Sequence, residues 1–320
     1  MCPECYANIA LLVTGFVSTG GVTAAAVRIF HSKKTRRKTF SSPQAQNSKL
    51  QGEVAMSTTG NSKSTATPKH QVVSRQEWLA ARKALLAKEK KLTHDRDAVA
   101  AERRALPWVK VDKNYIFDSP TGKKTLADLF DGRSQLIIYH FMFGPDWNEG
   151  CPSCSFNMDH TDAALVHLAQ RDVSFAAVSR APISKIEPFK KRMGWRFPWV
   201  SSHDNDFNYD YRASFTKQEM AKGKVEYNFD MVEFPSTEAP GISVFYKDPG
   251  GNIFHTYSAY ARGTENTVNT YNYLDYAPKG RDEDHLPFTM AWVRHHDRYT
   301  DGALADADKP YWPSFDSPAR

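Results

Sequence analysis

The chain has four cysteines, in two pairs of identical spacing: Cys2-Pro3-Glu4-Cys5 and Cys151-Pro152-Ser153-Cys154. A secreted disulfide scaffold uses more cysteines, spread along the chain. Two isolated C-x-x-C pairs point instead to thiol redox chemistry or to a metal. The second pair follows a strongly apolar run, Leu136–Met142, and opens a stretch that reads as a helix. Pro152 suits the first turn of that helix, where its missing N–H would have no intrahelical partner. Cys151 then stands at the helix N-terminus, where unpaired N–H groups and the helix dipole favour negative charge. A thiol so placed is acidified and presents more thiolate at neutral pH. Cys154, three residues on, lies on the same face of the helix. It is placed to attack a mixed disulfide at Cys151 and release a reduced substrate. Cys151 is therefore expected as nucleophile and Cys154 as resolving thiol.

Two other uses compete. A zinc site would join Cys2 and Cys5 to Cys151 and Cys154, but an apolar segment and a hydrophilic linker separate the pairs. Inert core cysteines would leave the spacing and the helix-start position accidental. No metal and no organic cofactor is expected. Nearby, His140 could tune the thiol, although a core histidine with its bonds satisfied is the plainer reading. Asp146 and Glu149, in the loop before Cys151, either work against the thiolate or shuttle protons; loop solvation is again plainer. His295 and His296 sit among Arg294, Asp297 and Arg298 and read as a solvated polar run. Cys2 and Cys5 stay open between a second redox pair, a metal clip and an acylation site.

The elements that must position the second pair begin after Val109. A strand over Tyr115–Asp118 should lead to a helix over Lys123–Leu129. Leu136–Met142 is a buried strand, Cys154–Arg171 a helix, Val173–Ser179 a strand, Ser184–Met193 a helix and Phe197–Val200 a short strand. Ile242–Lys247 and Ile253–Tyr257 form a hairpin around Asp248-Pro249-Gly250-Gly251-Asn252, and Asn266–Leu274 is a closing helix. A βαβ portion followed by a hairpin and a helix points to an α/β fold with a mixed sheet.

Ahead of this domain the chain changes character. Residues 1–70 carry a net charge of +7 and the remainder −1. Nucleic-acid binding by the folded part thus loses its electrostatic argument. Ile9–Val27 is apolar and followed at once by Arg28 and the basic run Lys33–Lys38. This order predicts a single membrane span, with the main domain on the cytoplasmic side of the inner membrane. If the segment does not insert, the protein is cytoplasmic. Residues 39–70 read as a polar tether. From Ser74 to Ala105 a long helix is expected, opened by a Ser74/Glu77 capping box and ended by Pro107. Its apolar residues, Trp78, Leu85, Leu92, Val99 and Leu106, recur every seven positions. With one such position per heptad, a helix lying on its own domain is expected ahead of a homodimer seam. The expected divisions are 1–38, 39–70, 71–107, 108–300 and a tail, 301–320.

The run from Tyr139 to Trp147 (YHFMFGPDW) followed by Glu149-Gly150-Cys151-Pro152-Ser153-Cys154 resembles a bacterial thioredoxin-like family. That family is catalogued as a domain of unknown function and described as predicted dithiol-disulfide oxidoreductases. Asp275–Arg281 (DYAPKGR) and the opening Gln71–Glu77 are similar to it as well, so the resemblance covers residues 70–300. It implies a thioredoxin-like fold and carries no substrate with it. Thioredoxins at large place a cis-proline before the hairpin, beside the dithiol. Glu238-Ala239-Pro240-Gly241 is similar in place, which implies a cis Pro240 and an Ala239 backbone paired with bound substrate. Trp147, Pro152, Ala239 and Pro240 are the expected substrate-contacting residues. Two departures matter: Gly150 stands where thioredoxins carry Trp, and Asn148 stands where peroxiredoxins carry Thr. The resulting expectation is a dithiol–disulfide oxidoreductase acting on a disulfide- or thiol-containing substrate, with an external electron donor or acceptor. A peroxiredoxin-like hydroperoxide reductase and a non-catalytic binding protein are the alternatives.

Overall fold

The computed structural model describes residues 70–299. Ile9–Val27, Cys2, Cys5 and the tether lie outside them. Among the described residues, no helix is long and apolar enough to cross a membrane.

The first helix, α1 (Arg75–Arg104), starts as its sequence requires. The Ser74 hydroxyl accepts the Glu77 N–H at 3.3 Å and the Glu77 carboxylate accepts the Ser74 N–H at 2.9 Å. Its apolar stripe, however, does not lie on the domain. No α1 residue is buried, and Trp78 and Leu92 are 49% and 57% exposed. The expectation is corrected for a physical reason: one apolar residue per heptad makes a stripe too narrow to bury. Alanine, lysine and arginine sustain the helix by propensity instead. Its carboxy-terminal half touches the domain through polar contacts, Arg96 to Asn266 and Arg103 over the Tyr257 ring.

Ten strands and six further helices follow. They are β1 (Val109–Lys110), β2 (Ile116–Ser119), β3 (Gly122–Thr125), β4 (Gln135–His140), α2 (Pro152–Thr161), α3 (Leu165–Ala169), β5 (Val173–Ser179), α4 (Ile183–Arg192) and β6 (Trp199–Ser201). Then come α5 (Phe207–Asp210), α6 (Lys217–Met220), β7 (Val225–Tyr227), β8 (Asp230–Val232), β9 (Gly241–Lys247), β10 (Ile253–Tyr260) and α7 (Asn269–Leu274). Eight strands form one mixed sheet in the order β1-β10-β9-β4-β5-β6-β2-β3, while β7 and β8 make a separate hairpin. β4, β5 and β6 run parallel, and β9 lies antiparallel against β4 with Gly241 opposite His140. The expected α/β architecture with a mixed sheet and flanking helices holds.

Two expected helices are corrected. Lys123–Leu129 is not an α-helix: the turn at Pro120-Thr121 folds β3 back onto β2, with Ile116 opposite Thr125, and only a 3-10 turn at Asp128–Phe130 follows. The Ser119 hydroxyl donates to the Gly122 carbonyl at 2.6 Å and holds that turn. Cys154–Arg171 is two helices, not one. The break is a 3-10 turn at Asp162–Ala164, where the Asp162 carboxylate accepts the backbone N–H of both Arg196 and Phe197.

The side-chain alternation of a strand divides the interior into two layers. Leu136 and Ile138 of β4 face a cluster with Phe117, Phe130, Phe207 and Phe245. Ile137, Tyr139 and, just past the strand, Phe141 face the opposite cluster, which holds Cys151, Cys154, Phe189, Trp195 and Trp199.

Candidate active site

β4 ends at His140, and after residues 141–151 α2 begins at Pro152, immediately after Cys151. The intervening loop is pinned at several points. The Ala181 N–H donates to the Phe143 carbonyl at 2.7 Å, and Lys185 Nζ donates to the carbonyls of Pro145 and Trp147 at 2.8 and 3.0 Å. The Cys151 N–H donates to the Met142 carbonyl at 3.0 Å, which ties the helix start to the strand end. Gly150 explains itself sterically. A Cβ there would stand 2.5 Å from the Phe141 ring and 2.9 Å from the Phe189 ring. The Trp that thioredoxins carry before the first cysteine has no room at this position.

Cys151 occupies the N-cap position of α2, and Pro152 takes the first helical one, as the sequence predicts. The two cysteines are not joined and are buried, at 0% and 1% exposure. Burial pushes the Cys151 thiol up. Hydrogen bonds from Cys154, from the Ser153 and Cys154 backbone N–H groups and from the Ser153 side chain outweigh it, and the net shift is downward. Cys154 moves the other way. Burial and the neighbouring Cys151 sulfur push it well up, against hydrogen bonds from the Met142 N–H and the Tyr139 hydroxyl. Cys151 is thus the more acidic thiol and Cys154 the less acidic, the asymmetry that a nucleophile and a resolving thiol need.

A further segment is tied to the start of α2. Residues 291–299 form a strap across α2, with Ala291, Val293 and His295 buried and Trp292 and Arg294 between them partly buried, Trp292 packing on Phe156. His295 Nε2 donates to the Gly150 carbonyl at 2.8 Å, and its Nδ1 accepts from Arg192 Nη2 at 2.8 Å. This pattern makes it a neutral imidazole, in line with burial lowering its pKa. Arg192 and Arg298 both grip Glu149, and Arg192 also reaches Asp297 at 3.2 Å. Burial works to raise the Glu149 carboxyl, but Arg298 and Arg192 outweigh it and hold the carboxyl low. His296 Nδ1 lies 2.8 Å from Asp159 Oδ1. The reading of a solvated run is thus corrected for His295, while His296 and Arg298 are exposed as expected, and Glu149 is an anchor for the strap. The alternation of buried residues along 291–295 was the signal available in the sequence.

The other expected residues divide. Trp147 is half-buried against the cluster that holds both cysteines, and Pro152 adjoins Cys151. Ala239 belongs to a neighbouring cluster with Tyr227 and Tyr260, and the Pro240 carbonyl accepts the Tyr227 hydroxyl at 2.8 Å. No peptide bond among the described residues is cis, so the expected cis Pro240 is corrected. The Ala239 N–H already donates to Ala213 at 2.9 Å. Residues 213–215 run antiparallel beside 237–239 and take the edge that a bound substrate chain was expected to use. His140 points away from the thiols. It bonds Ser243 at 2.9 Å in the opposite layer, and burial takes its pKa down to about 3. Among the described residues there is no cluster of side chains able to hold a metal ion.

Residues 67–299 match the family described as "Bacterial protein of unknown function" (DUF899). No curated protein matches the chain. Solved structures that it resembles include a cysteine-to-serine mutant of Xylella fastidiosa PrxQ, at 15% identity and a TM-score of 0.34, covering 52% of this chain and 94% of that one. Peroxidoxin BcpB from Mycobacterium tuberculosis is similar at 12% identity and a TM-score of 0.35, covering 52% and 95%. A mutant of Xanthomonas campestris peroxiredoxin Q is similar at 15% identity and a TM-score of 0.34, covering 49% and 90%.

Proposed function

The chain belongs to that family of bacterial proteins of unknown function, and from this premise we propose that it is a thioredoxin-like thiol–disulfide oxidoreductase. The observation that carries the reading is the opposed pair of thiols at the start of α2: Cys151, at the helix N-cap, shifted down by helix-start donors, and Cys154, one turn on, shifted up by burial and by Cys151. The order β10-β9-β4-β5, with β4 and β5 parallel and the hairpin returning antiparallel, supports the thioredoxin-like part.

The Cys151 thiolate attacks one sulfur of a substrate disulfide. A Cys151–substrate bond forms and the other substrate sulfur leaves as a thiolate, taking a proton. Cys154 then attacks Cys151 Sγ, passes its proton to the departing substrate thiolate and closes the Cys151–Cys154 disulfide. Two electrons have moved to the substrate, and an external dithiol restores the pair. Run backwards, the same steps oxidise a substrate. Trp147 and Pro152, beside Cys151, are the residues that would meet the substrate.

The test is equilibration of the full chain in a series of glutathione redox buffers, with thiol trapping and mass spectrometry. A reversible two-electron transition between Cys151 and Cys154 is expected. Absence of that disulfide in every buffer sinks the dithiol mechanism.

A second reading, hydroperoxide reduction, is favoured by one observation: Cys151 is wholly buried, which suits a small oxidant. There the thiolate takes one peroxide oxygen, an alcohol or water leaves, and Cys154 condenses with the sulfenic acid to release water. Peroxide consumption by the reduced chain separates the two readings.

A further inference from the structure

We propose that the cleft between β10 and the β7–β8 hairpin is a second binding site, shaped for a small uncharged aromatic ring that carries a hydroxyl donor, a simple phenol. The site is separate from the dithiol, since none of its lining residues belongs to the cluster that holds Cys151 and Cys154.

The cleft has a volume of about 260 Å³, the size for one ring and below that of a pocket for larger ligands. Two of its wall residues, Tyr227 and Tyr260, have hydroxyls that are already committed. Tyr227 donates to the Pro240 carbonyl at 2.8 Å and accepts the Ala261 N–H at 2.9 Å. Tyr260 donates to the Tyr211 carbonyl at 2.7 Å. To a ligand these side chains offer rings and no polar handle.

His255, which also lines the cleft, has a polar atom to spare. Its Nε2 lies 3.0 Å from the Tyr257 carbonyl and 2.8 Å from the Ser258 hydroxyl. A carbonyl can only accept, so Nε2 carries the hydrogen and Nδ1 the lone pair. Ser258 is buried and bonded onward to Ser243 at 2.9 Å, which fixes the imidazole on that side. Burial lowers the His255 pKa, in keeping with a neutral ring. No described residue bonds Nδ1, and the atom is not sealed from solvent. It is an acceptor in want of a donor. The charged side chains of the cleft are already paired. Arg212 meets Glu226 at 2.9 Å and Glu219 at 3.1 Å, while Asp210 takes Lys113 Nζ and the Tyr115 hydroxyl, each at 2.7 Å. With its cation so occupied, the cleft has nothing spare for an anionic ligand.

The hairpin adds an independent observation. Asn228 and Phe229 form its two-residue turn, with φ of 52° and 64°. Such turns need positive φ at both positions and favour Asn followed by Gly. Asn228 suits its place, but a bulky residue at the second is strained. Phe229 is also 77% exposed, so burial does not offset that strain. Its ring stands edge-on to Tyr260, with centroids 5.6 Å apart. A strained, exposed aromatic lining a cleft is placed to pack on what enters it.

The experiment titrates the full chain with three fluorinated rings of similar size, followed by fluorine NMR. They are 4-fluorophenol, 1,4-difluorobenzene, which has fluorine in place of the hydroxyl, and 4-fluorobenzoate. 4-Fluorophenol is expected to bind saturably with a Kd of about 1 mM or tighter, within reach of a ligand this small. The other two should bind about tenfold or more weakly, one lacking the donor for His255 and the other a free cation. In His255→Phe the preference for 4-fluorophenol over 1,4-difluorobenzene should vanish. Phe229→Gly should weaken 4-fluorophenol about threefold or more, the worth of one aromatic contact, while melting no earlier than wild type, because Asn-Gly is the favoured turn. A merely structural Phe229 would give the reverse, an earlier melt with unchanged binding, and that result overturns the proposal. So does a failure to saturate by about 10 mM, equal affinity for 4-fluorophenol and 1,4-difluorobenzene, or tighter binding of 4-fluorobenzoate. The comparison of the three rings needs no variant, so it decides the matter should His255→Phe not fold.

Discussion

Glu238 is a fully buried carboxyl with two partners. Arg180 Nη1 lies 2.8 Å from one oxygen and the Ser214 hydroxyl donates to the other at 2.6 Å. Burial nevertheless dominates and raises its pKa from 4.5 to about 7. Between these two values the folded chain holds a proton that the unfolded chain has lost, so stability must fall as pH rises across that window. The fall is expected to reach about 3 kcal/mol. Urea unfolding at a series of pH values should show it, and Glu238→Gln should remove it. Residues such as these also mark where the sequence stops being legible. Cys151 and Cys154 are readable because their chemistry needs only each other and the helix start between them. Glu238 finds Arg180 fifty-eight positions away, and His295 finds Gly150 at a separation of 145. Nothing local in either stretch announces the partner.

At the level of elements, the reading of the sequence succeeded where one period was unmistakable. β5 has the expected limits, Val173–Ser179, and the Asp248–Asn252 turn joins β9 to β10 as its residues demand. It failed where a tight turn or a distant tie overrode local preference, as in β3 and at the break between α2 and α3. It also failed at the strap, because residues 291–299 have almost no regular structure and are held by side chains. That last element is tied to Glu149 and Gly150, the two residues just before Cys151. Arg298 contributes two hydrogen bonds to the Glu149 clamp while half-exposed, so losing it should loosen the strap modestly. Arg298→Ala is expected to speed iodoacetamide alkylation of Cys151 about two- to fivefold, the scale of one partly exposed ion pair. Removing a nearby positive charge would by itself slow that reaction, so faster labelling reports opening. Unchanged or slower labelling would show that the strap does not limit access.

For the whole molecule, α1 stands apart energetically from the sheet domain. Since it buries no residue, changing its stripe should leave the domain's stability nearly untouched. Leu85→Glu and Leu92→Glu are each expected to shift the unfolding free energy by less than about 0.5 kcal/mol, as surface substitutions do. A larger loss, measured by denaturant titration, would show that the stripe is covered in solution. The strap carries a further consequence, one of timing. It lies about 140 residues after Cys151 along the chain. At about 5–20 residues per second of synthesis, roughly 7 to 30 seconds separate the emergence of the thiol from the emergence of the strap. During each round of translation Cys151 is made well before the residues that tie Gly150 and Glu149 in place. The bond from His295 to the Gly150 carbonyl is therefore among the last contacts this domain can make as it is synthesised.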